Sequence, residues 1–203
     1  MRYNQDCMEA MKEMSDNQFD LAIVDPPYRN TNENQPTPDM RTNRFVNKQK
    51  LGSKPNEEFF KELRRVSRKQ IIWGANNFSL DFKGFIVWDK VVPAKDKMTL
   101  RFSAAEIAAL SENISTISKI FTFRTQGQKR IHPTQKPVEL YEWTLMTYAK
   151  EGYKILDTHL GSGSLAIACH NLGYDFTGYE IDEEYFEAAK KRIEQHTAQK
   201  RLF

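Results

Sequence analysis

Cysteine is scarce in this chain: Cys7 and Cys169 are the two among 203 residues, far apart and with no second Cys or His at metal-ligand spacing. A disulfide framework is thereby excluded, no zinc or other metal site is indicated, and a reducing, cytoplasmic setting is expected. Long apolar runs are missing as well. No stretch of about 18 apolar residues occurs, and Met1-Arg2-Tyr3-Asn4-Gln5-Asp6 has no hydrophobic segment of the secretory kind, so neither export nor a membrane span is expected. Nor does one sign of charge dominate. Lys and Arg number 30 against 27 Asp and Glu, a net +3, which argues against a uniformly basic coat and makes any polyanion site local. With no internal repeat, coiled-coil heptad or low-complexity tract, residues 1–203 read as one domain, within the usual span of roughly 100 to 200 residues.

What is present is an alternation of short apolar runs and helical patterns. Phe19 to Val24 is a buried-strand pattern stopped by Asp25-Pro26-Pro27, which cannot extend a ladder and leaves Asp25 at the sheet edge. Similar runs lie at Gln70–Trp73, Phe85–Trp88, Ile107–Leu110, Lys154–Asp157 and Phe176–Glu180. Helices are expected over Asn56–Val66, Pro137–Ala149, Ser164–Leu172 and Asp182–Gln195, with Asp182 as an N-cap. This alternation predicts a largely parallel α/β sheet.

Two segments carry chemistry. Lys154 to Ser164 is a strand, a tight loop containing Gly161 and Gly163, and a helix start; Glu180 ends the next strand, where nucleotide-binding folds place an acid for ribose hydroxyls. Asp25-Pro26-Pro27-Tyr28 supplies a carboxylate acceptor, a backbone carbonyl at Pro26 and an aromatic ring. An exocyclic base amine is a poor nucleophile because its lone pair is delocalised into the ring. Asp25 and the Pro26 carbonyl can accept its hydrogens, and Tyr28 can stack on a base flipped from the duplex.

On these residues the chain resembles the DNA amino-methyltransferases, specifically the circularly permuted (beta-class) group in which the catalytic motif precedes the cofactor motif. The resemblance implies S-adenosylmethionine as cofactor, no metal, and direct transfer to adenine N6, with Asp25, Pro26, Pro27 and Tyr28 catalytic. It implies a cofactor site of Asp6, Cys7, Asp25, Lys136, Asp157, His159, Gly161, Ser162, Gly163, Ser164 and Glu180. Asp6-Cys7 would line the adenine pocket, and Lys136, in His132-Pro133-Thr134-Gln135-Lys136-Pro137, would lie near the methionine moiety. The chain departs from the family pattern at Thr158, His159 and Ser164, where Pro, Phe and Thr are usual. His159 reads as a neutral ring filling the Phe slot.

The implied fold is a three-layer, Rossmann-like sheet of seven strands. It is mostly parallel with one antiparallel strand near Ile107–Leu110, and the chain is cut between the ribose-binding half and the strand of Asp6. Short recognition loops are expected at about 29–54 and 89–103. Arg29 to Lys54 holds six cations against two acids, a net +4 that exceeds the whole chain's +3. Arg29, Arg41, Arg44, Lys48, Lys95 and Lys97 are the candidate DNA contacts. Expected partners are DNA, with a homodimer and a cognate restriction endonuclease left open, in a bacterial or phage restriction-modification setting. The alternatives are cytosine N4 as target, an inactive DNA-binding protein of this fold, and an RNA or protein amine as substrate.

Overall fold

The computed structural model describes residues 2–28, 54–92, 103–125 and 130–198. In chain order these form β1 (Arg2–Asn4), α1 (Cys7–Lys12), β2 (Leu21–Val24), α2 (Glu57–Val66), β3 (Gln70–Trp73), a short 3-10 turn (Ala75–Asn77), β4 (Gly84–Asp89), β5 (Ala105–Leu110) and β6 (Lys119–Thr122). Then follow α3 (Val138–Tyr148), β7 (Lys154–Asp157), α4 (Ser164–Leu172), β8 (Asp175–Glu180) and α5 (Glu183–Ala198). No helix among the described residues is long and apolar enough to cross a membrane.

The helices begin where local chemistry satisfies their free N–H groups. Asn56 Oδ1 accepts from Phe59 N at 3.1 Å, with Glu57 and Glu58 in the first turn of α2 and Arg64 and Arg65 in its last, each favourable to the helix dipole. Asp182 accepts from Tyr185 N at 3.0 Å at the head of α5, the cap expected from sequence. Pro137 sits just before α3, where its missing N–H costs nothing.

The strands pair in the order β1-β8-β7-β2-β3-β5-β4-β6. Every pairing is parallel except the two made by β5, which runs against β3 and β4, so the antiparallel strand lies where it was expected. The expectation of seven strands is corrected to eight. The outermost pair, β1 and β6, are short and largely exposed, and Arg2-Tyr3-Asn4 and Lys119-Ile120-Phe121-Thr122 carry no apolar run to announce a strand. Asp6 is not in a strand: it caps α1. The expected strand at Phe19 begins at Leu21, Phe19 contributing an isolated bridge to Ser67.

Side chains alternate across the central strands and divide the core into two layers. Leu21, Ile23, Ile71, Trp73 and Ile155 meet α3, α4 and α5 through Leu140, Leu145, Leu165, Ala189 and Ile193. Ala22, Val24, Ile72 and Leu156 meet α1 and α2 through Met11, Phe59 and Leu63. After β2 the chain returns through α2 on one face, and after β7 through α4 on the other. Because β2 and β7 are neighbours, a crevice opens at their carboxyl ends, the usual ligand position in such sheets.

The α2 layer depends on Leu63, which is fully buried against the sheet. Leu63→Ala is expected to lower the unfolding free energy by about 2–5 kcal/mol, as for other buried Leu-to-Ala truncations, measurable as a fall in the urea midpoint at unchanged slope.

Candidate active site

Asp25 leaves the end of β2 directly into the crevice. Its Oδ1 accepts from the Tyr28 hydroxyl at 2.5 Å, and its Oδ2 is in contact with Lys136 Nζ. Lys136 arrives from the segment before α3, which closes on itself through Gln135 N to His132 O (3.2 Å) and Ile131 N to Gln135 Oε1 (3.0 Å). Its backbone carbonyl accepts from Ser164 Oγ at 2.7 Å, so one residue ties the start of α4 to the end of β2.

A buried ammonium is costly unless every proton is matched. Lys136, 3% exposed, donates to Asp25 Oδ2, to Glu106 Oε2 at 3.1 Å and to the Tyr28 oxygen at 3.3 Å. The rings of Trp73 and Tyr28 lie 5.3 and 6.0 Å from its nitrogen. Burial alone would pull its pKa down, but Asp25, Tyr28 and Glu106 hold it well above the ordinary lysine value. The Tyr28 hydroxyl is pushed up by burial, against the pull of Lys136, and stays protonated.

Glu106 extends the chain of charges. Its Oε1 pairs with Lys90 Nζ at 2.5 Å. Burial works against its charged form, yet Lys136 and Lys90 together bring its carboxyl down to about 2. Gly74 lets the backbone of β3 come close beneath: its φ is +71°, and a Cβ there would lie 2.0 Å from Tyr28 Cε1. Phe78 meets the Tyr28 ring edge-on at 6.3 Å, and Asn77 Nδ2 donates to Gly74 O at 3.1 Å, so Asn77 closes this turn.

Beyond β7 the loop from Thr158 to Gly163 lies along the same edge. Gly161 N donates to Glu180 Oε2 at 2.8 Å and Asp182 N to Glu180 Oε1 at 3.1 Å, while burial raises the Glu180 pKa. Gly163, at φ +72°, packs so close to α5 that an added Cβ would sit 2.7 Å from Ile193 Cδ1. Arg192 Nη1 donates to Ser162 O at 2.7 Å and Ser164 Oγ at 2.9 Å, bracing the loop from behind. Asp157, 4% exposed, accepts from His159 N at 3.0 Å, and burial pushes its carboxyl up to about 8.

Asp6 is occupied as the α1 cap, accepting from Met8 N at 2.7 Å and Glu9 N at 3.3 Å. Cys7 is half-buried, and desolvation, with Asp6 adding to it, pushes its thiol up to about 12, so it is no thiolate at neutral pH. The His159 ring meets Phe59 at 5.4 Å, edge to face, with Nδ1 2.9 Å from Thr158 Oγ1. His132 lies against the Tyr185 ring at 4.4 Å and above Gly161. Burial, joined by the Lys136 charge, holds His132 at about 4 and neutral.

The fold thus gathers Asp25, Tyr28 and Lys136 into one contact group, and Gly161, Ser162, Gly163, Ser164 and Glu180 into a second. Ser164 and the Lys136 carbonyl join the two. Pro26 and Pro27 lie between Asp25 and Tyr28, at the same edge. Arg29, Arg41, Arg44, Lys48, Lys95 and Lys97 lie outside the described residues. Sequence reasoning missed Glu106, Lys90 and Arg192. A signal existed for Glu106 alone: an acid at the head of an otherwise apolar strand, Ala105-Glu106-Ile107-Ala108-Ala109-Leu110.

The His159 ring titrates at about 4 in the fold because burial disfavours its charged form, against 6.5 when free. Between these values the unfolded chain binds the extra proton, so stability is full above 6.5 and is lost as pH falls towards 4. His159→Phe removes that proton site while filling the same slot. The stability advantage of the variant over the native chain is expected to grow between about pH 7 and pH 4.5, read from urea unfolding at each pH. His132 is present in both proteins and drops out of the difference.

The N6/N4 DNA methylase family model matches residues 87–191, just over half the chain; that span contains Glu106, Lys136, the glycine loop and Glu180, and Asp25–Tyr28 lies before it. The type II methyltransferase M.HpaI of Haemophilus parainfluenzae is 25% identical over 227 residues, covering 92% of this chain and 72% of that protein. M2.DpnII of Streptococcus pneumoniae is 43% identical over a shorter stretch of 63 residues, 31% of this chain and 24% of that one. Among solved structures, the M1.HpyAVI–SAM complex superposes with a TM-score of 0.63 at 22% identity over 95% of this chain and 98% of its own. The cytosine-N4-specific PvuII DNA methyltransferase gives 0.62 at 10% identity, over 97% and 89%. These two show the shared fold. By its family match over just over half of its length, the chain belongs to the N6/N4 DNA methylases.

Proposed function

We propose that this DNA methylase uses S-adenosylmethionine to methylate an exocyclic base amine, adenine N6 foremost, and that Asp25 is the acceptor for that amine. The reading is carried by one observation: the Asp25–Tyr28–Lys136 group and the Thr158–Gly163 loop, tied to Glu180, follow adjacent strands, β2 and β7, at the same edge of the sheet. The order of the two blocks along the chain, Asp25 before Gly161, supports the circularly permuted arrangement within a single domain spanning 1–203.

The residues present suit the cofactor. Asp157 is a buried carboxyl whose charged form burial disfavours, and a cationic amino group brought to it restores that form. Glu180 retains lone pairs for ribose hydroxyls beside the bonds it already accepts, and Gly161 allows close approach of a ligand to the backbone. Asp6 and Cys7 lie at the neighbouring edge position, and His159 and the loop from Ser162 to Ser164 complete the wall. When bound, S-adenosylmethionine supplies an electrophilic methyl group on a sulfonium centre.

Asp25 and the Pro26 carbonyl then accept the two amine hydrogens, so that the nitrogen pyramidalises and its lone pair leaves the ring system. As the N–C bond forms, positive charge develops on nitrogen, and the Asp25 carboxylate stabilises it and receives the departing proton. Tyr28, wedged between Gly74 and Phe78, offers a rigid ring on which the extruded base stacks. Holding nitrogen and methyl in line supplies a large share of the acceleration. Asp in front of Pro-Pro favours adenine; cytosine N4 is the second reading because the family covers both amines.

The basic segment from Arg29 and the polar segment from Asp89 are the proposed DNA-reading elements. With few side chains to spend on base edges, at about 1–3 kcal/mol for each good bidentate contact, the target sequence is expected to be short or relaxed. Methylation mapping of a sequenced plasmid checks this, and a long strict site would contradict it.

The central test is incubation with labelled S-adenosylmethionine and plasmid DNA, followed by nucleoside mass analysis. N6-methyladenine is expected, N4-methylcytosine supports the second reading, and an unmethylated product pool rejects both. Asp25→Ala should lower kcat by about 10²–10³ or more while the fold, followed by circular dichroism, is retained. Near-native turnover in that variant removes Asp25 from the mechanism.

A further inference from the structure

Each Asp25 oxygen already accepts one bond, one from the Tyr28 hydroxyl and the other from the Lys136 ammonium. An ammonium pressed against a carboxylate in a buried site is a strong competitor for any neutral N–H that has to be accepted there. Lys136, however, is shared. Glu106 Oε2 stands 3.1 Å from the same nitrogen, on the side away from Asp25's strand neighbour β7. The other Glu106 oxygen pairs with Lys90 at 2.5 Å, just beyond the end of β4.

The placement follows from topology. A parallel strand presents its last residues at the crevice, whereas β5 runs the other way and presents its first, so Glu106 arrives at the carboxyl edge opposite Trp88. Four charges result in alternating order, Asp25, Lys136, Glu106 and Lys90, with no net charge in the row. Neither the transfer chemistry nor the cofactor loop requires the last two members.

We infer that Glu106 is a positioning residue for methyl transfer: by sharing the Lys136 ammonium it draws that charge off Asp25 and leaves the Asp25 carboxylate able to accept the base amine. The inference rests on the reading of Asp25 as the acceptor. Lys90 competes with Lys136 for the charge of Glu106. Removal of Glu106's charge therefore gives Lys136 wholly to Asp25, and removal of Lys90's charge gives Glu106 more fully to Lys136. The two substitutions break the same Lys90–Glu106 pair and act in opposite senses on Asp25.

The experiment compares steady-state methylation of plasmid DNA by the native chain, Glu106→Gln, Glu106→Asp and Lys90→Met, with cofactor affinity and thermal midpoint measured for each. Glu106→Gln is expected to lose on the order of ten- to a hundred-fold in kcat, the scale of a misplaced reacting group, with KM for DNA and cofactor nearly unchanged. Glu106→Asp, which keeps the charge, should recover most of the rate, and Lys90→Met should stay within about two-fold of the native kcat or exceed it. Parallel losses in Glu106→Gln and Lys90→Met, a loss confined to KM, or no recovery by Asp overturns the inference. If Glu106→Gln fails to bind cofactor, Glu106→Asp and Lys90→Met still decide: both near native supports the inference, and a shared fall overturns it. An inactive native chain would instead reject the proposed function, and an active native chain with an inactive Asp25→Ala isolates any failure to Glu106.

Discussion

The crevice is organised around one buried ammonium. Lys136 carries the three demands that make such a group tolerable in a protein interior, an acceptor for each of its protons, opposite charge close by, and aromatic faces around it. Each demand is met by a different element: Asp25 and Tyr28 follow β2, Glu106 opens β5, Trp73 ends β3, and the Lys136 carbonyl anchors Ser164 at the head of α4. Folding one side chain correctly therefore requires that four parts of the sheet edge be in register. Taking away either carboxylate leaves the buried ammonium with one opposite charge in place of two.

The same constraint explains which features could be seen in the sequence. Strands in the middle of the sheet are apolar on both faces, so Leu21–Val24, Gln70–Trp73 and Lys154–Asp157 announce themselves as short apolar runs. The edge strands face water along one side and carry polar residues, which is why Lys119–Thr122 was not anticipated and the strand expected at Asp6 lies two residues earlier, at Arg2–Asn4. The cap at Asp182 was legible for a different reason: it does local work that depends on a few neighbouring residues and on nothing distant.

Site residues divide along the same line. Asp25 to Tyr28 and Gly161 to Ser164 are contiguous, and the chemistry of each can be argued from its own few residues. Glu106 and Lys90 become meaningful when β5 is known to run antiparallel and to begin at the crevice, a fact that no local pattern encodes. Arg192 is similar, since a guanidinium on an amphipathic helix reads as surface charge until α5 is seen to back the glycine loop. His159 lies between these cases. A histidine in a slot that the family fills with Phe is neutral in the fold, its ring edge-on to Phe59 and its pKa lowered by burial, so its position is governed by packing.

The crevice therefore has two kinds of rigidity. On the β7 side it is backbone geometry: the positive φ angles at Gly161 and Gly163, the close approach of α5, and the braces from Glu180 and Arg192. These hold a loop whose shape suits a ligand that approaches main chain directly. On the β2 side it is charge: a row of alternating ions whose positions are interdependent and whose balance is set by how Lys136 is divided between two carboxylates. Backbone rigidity suits binding, because it is indifferent to the progress of a reaction. An ionic row responds when charge develops nearby, and the end of that row nearest the crevice is Asp25, where positive charge would appear on a base nitrogen.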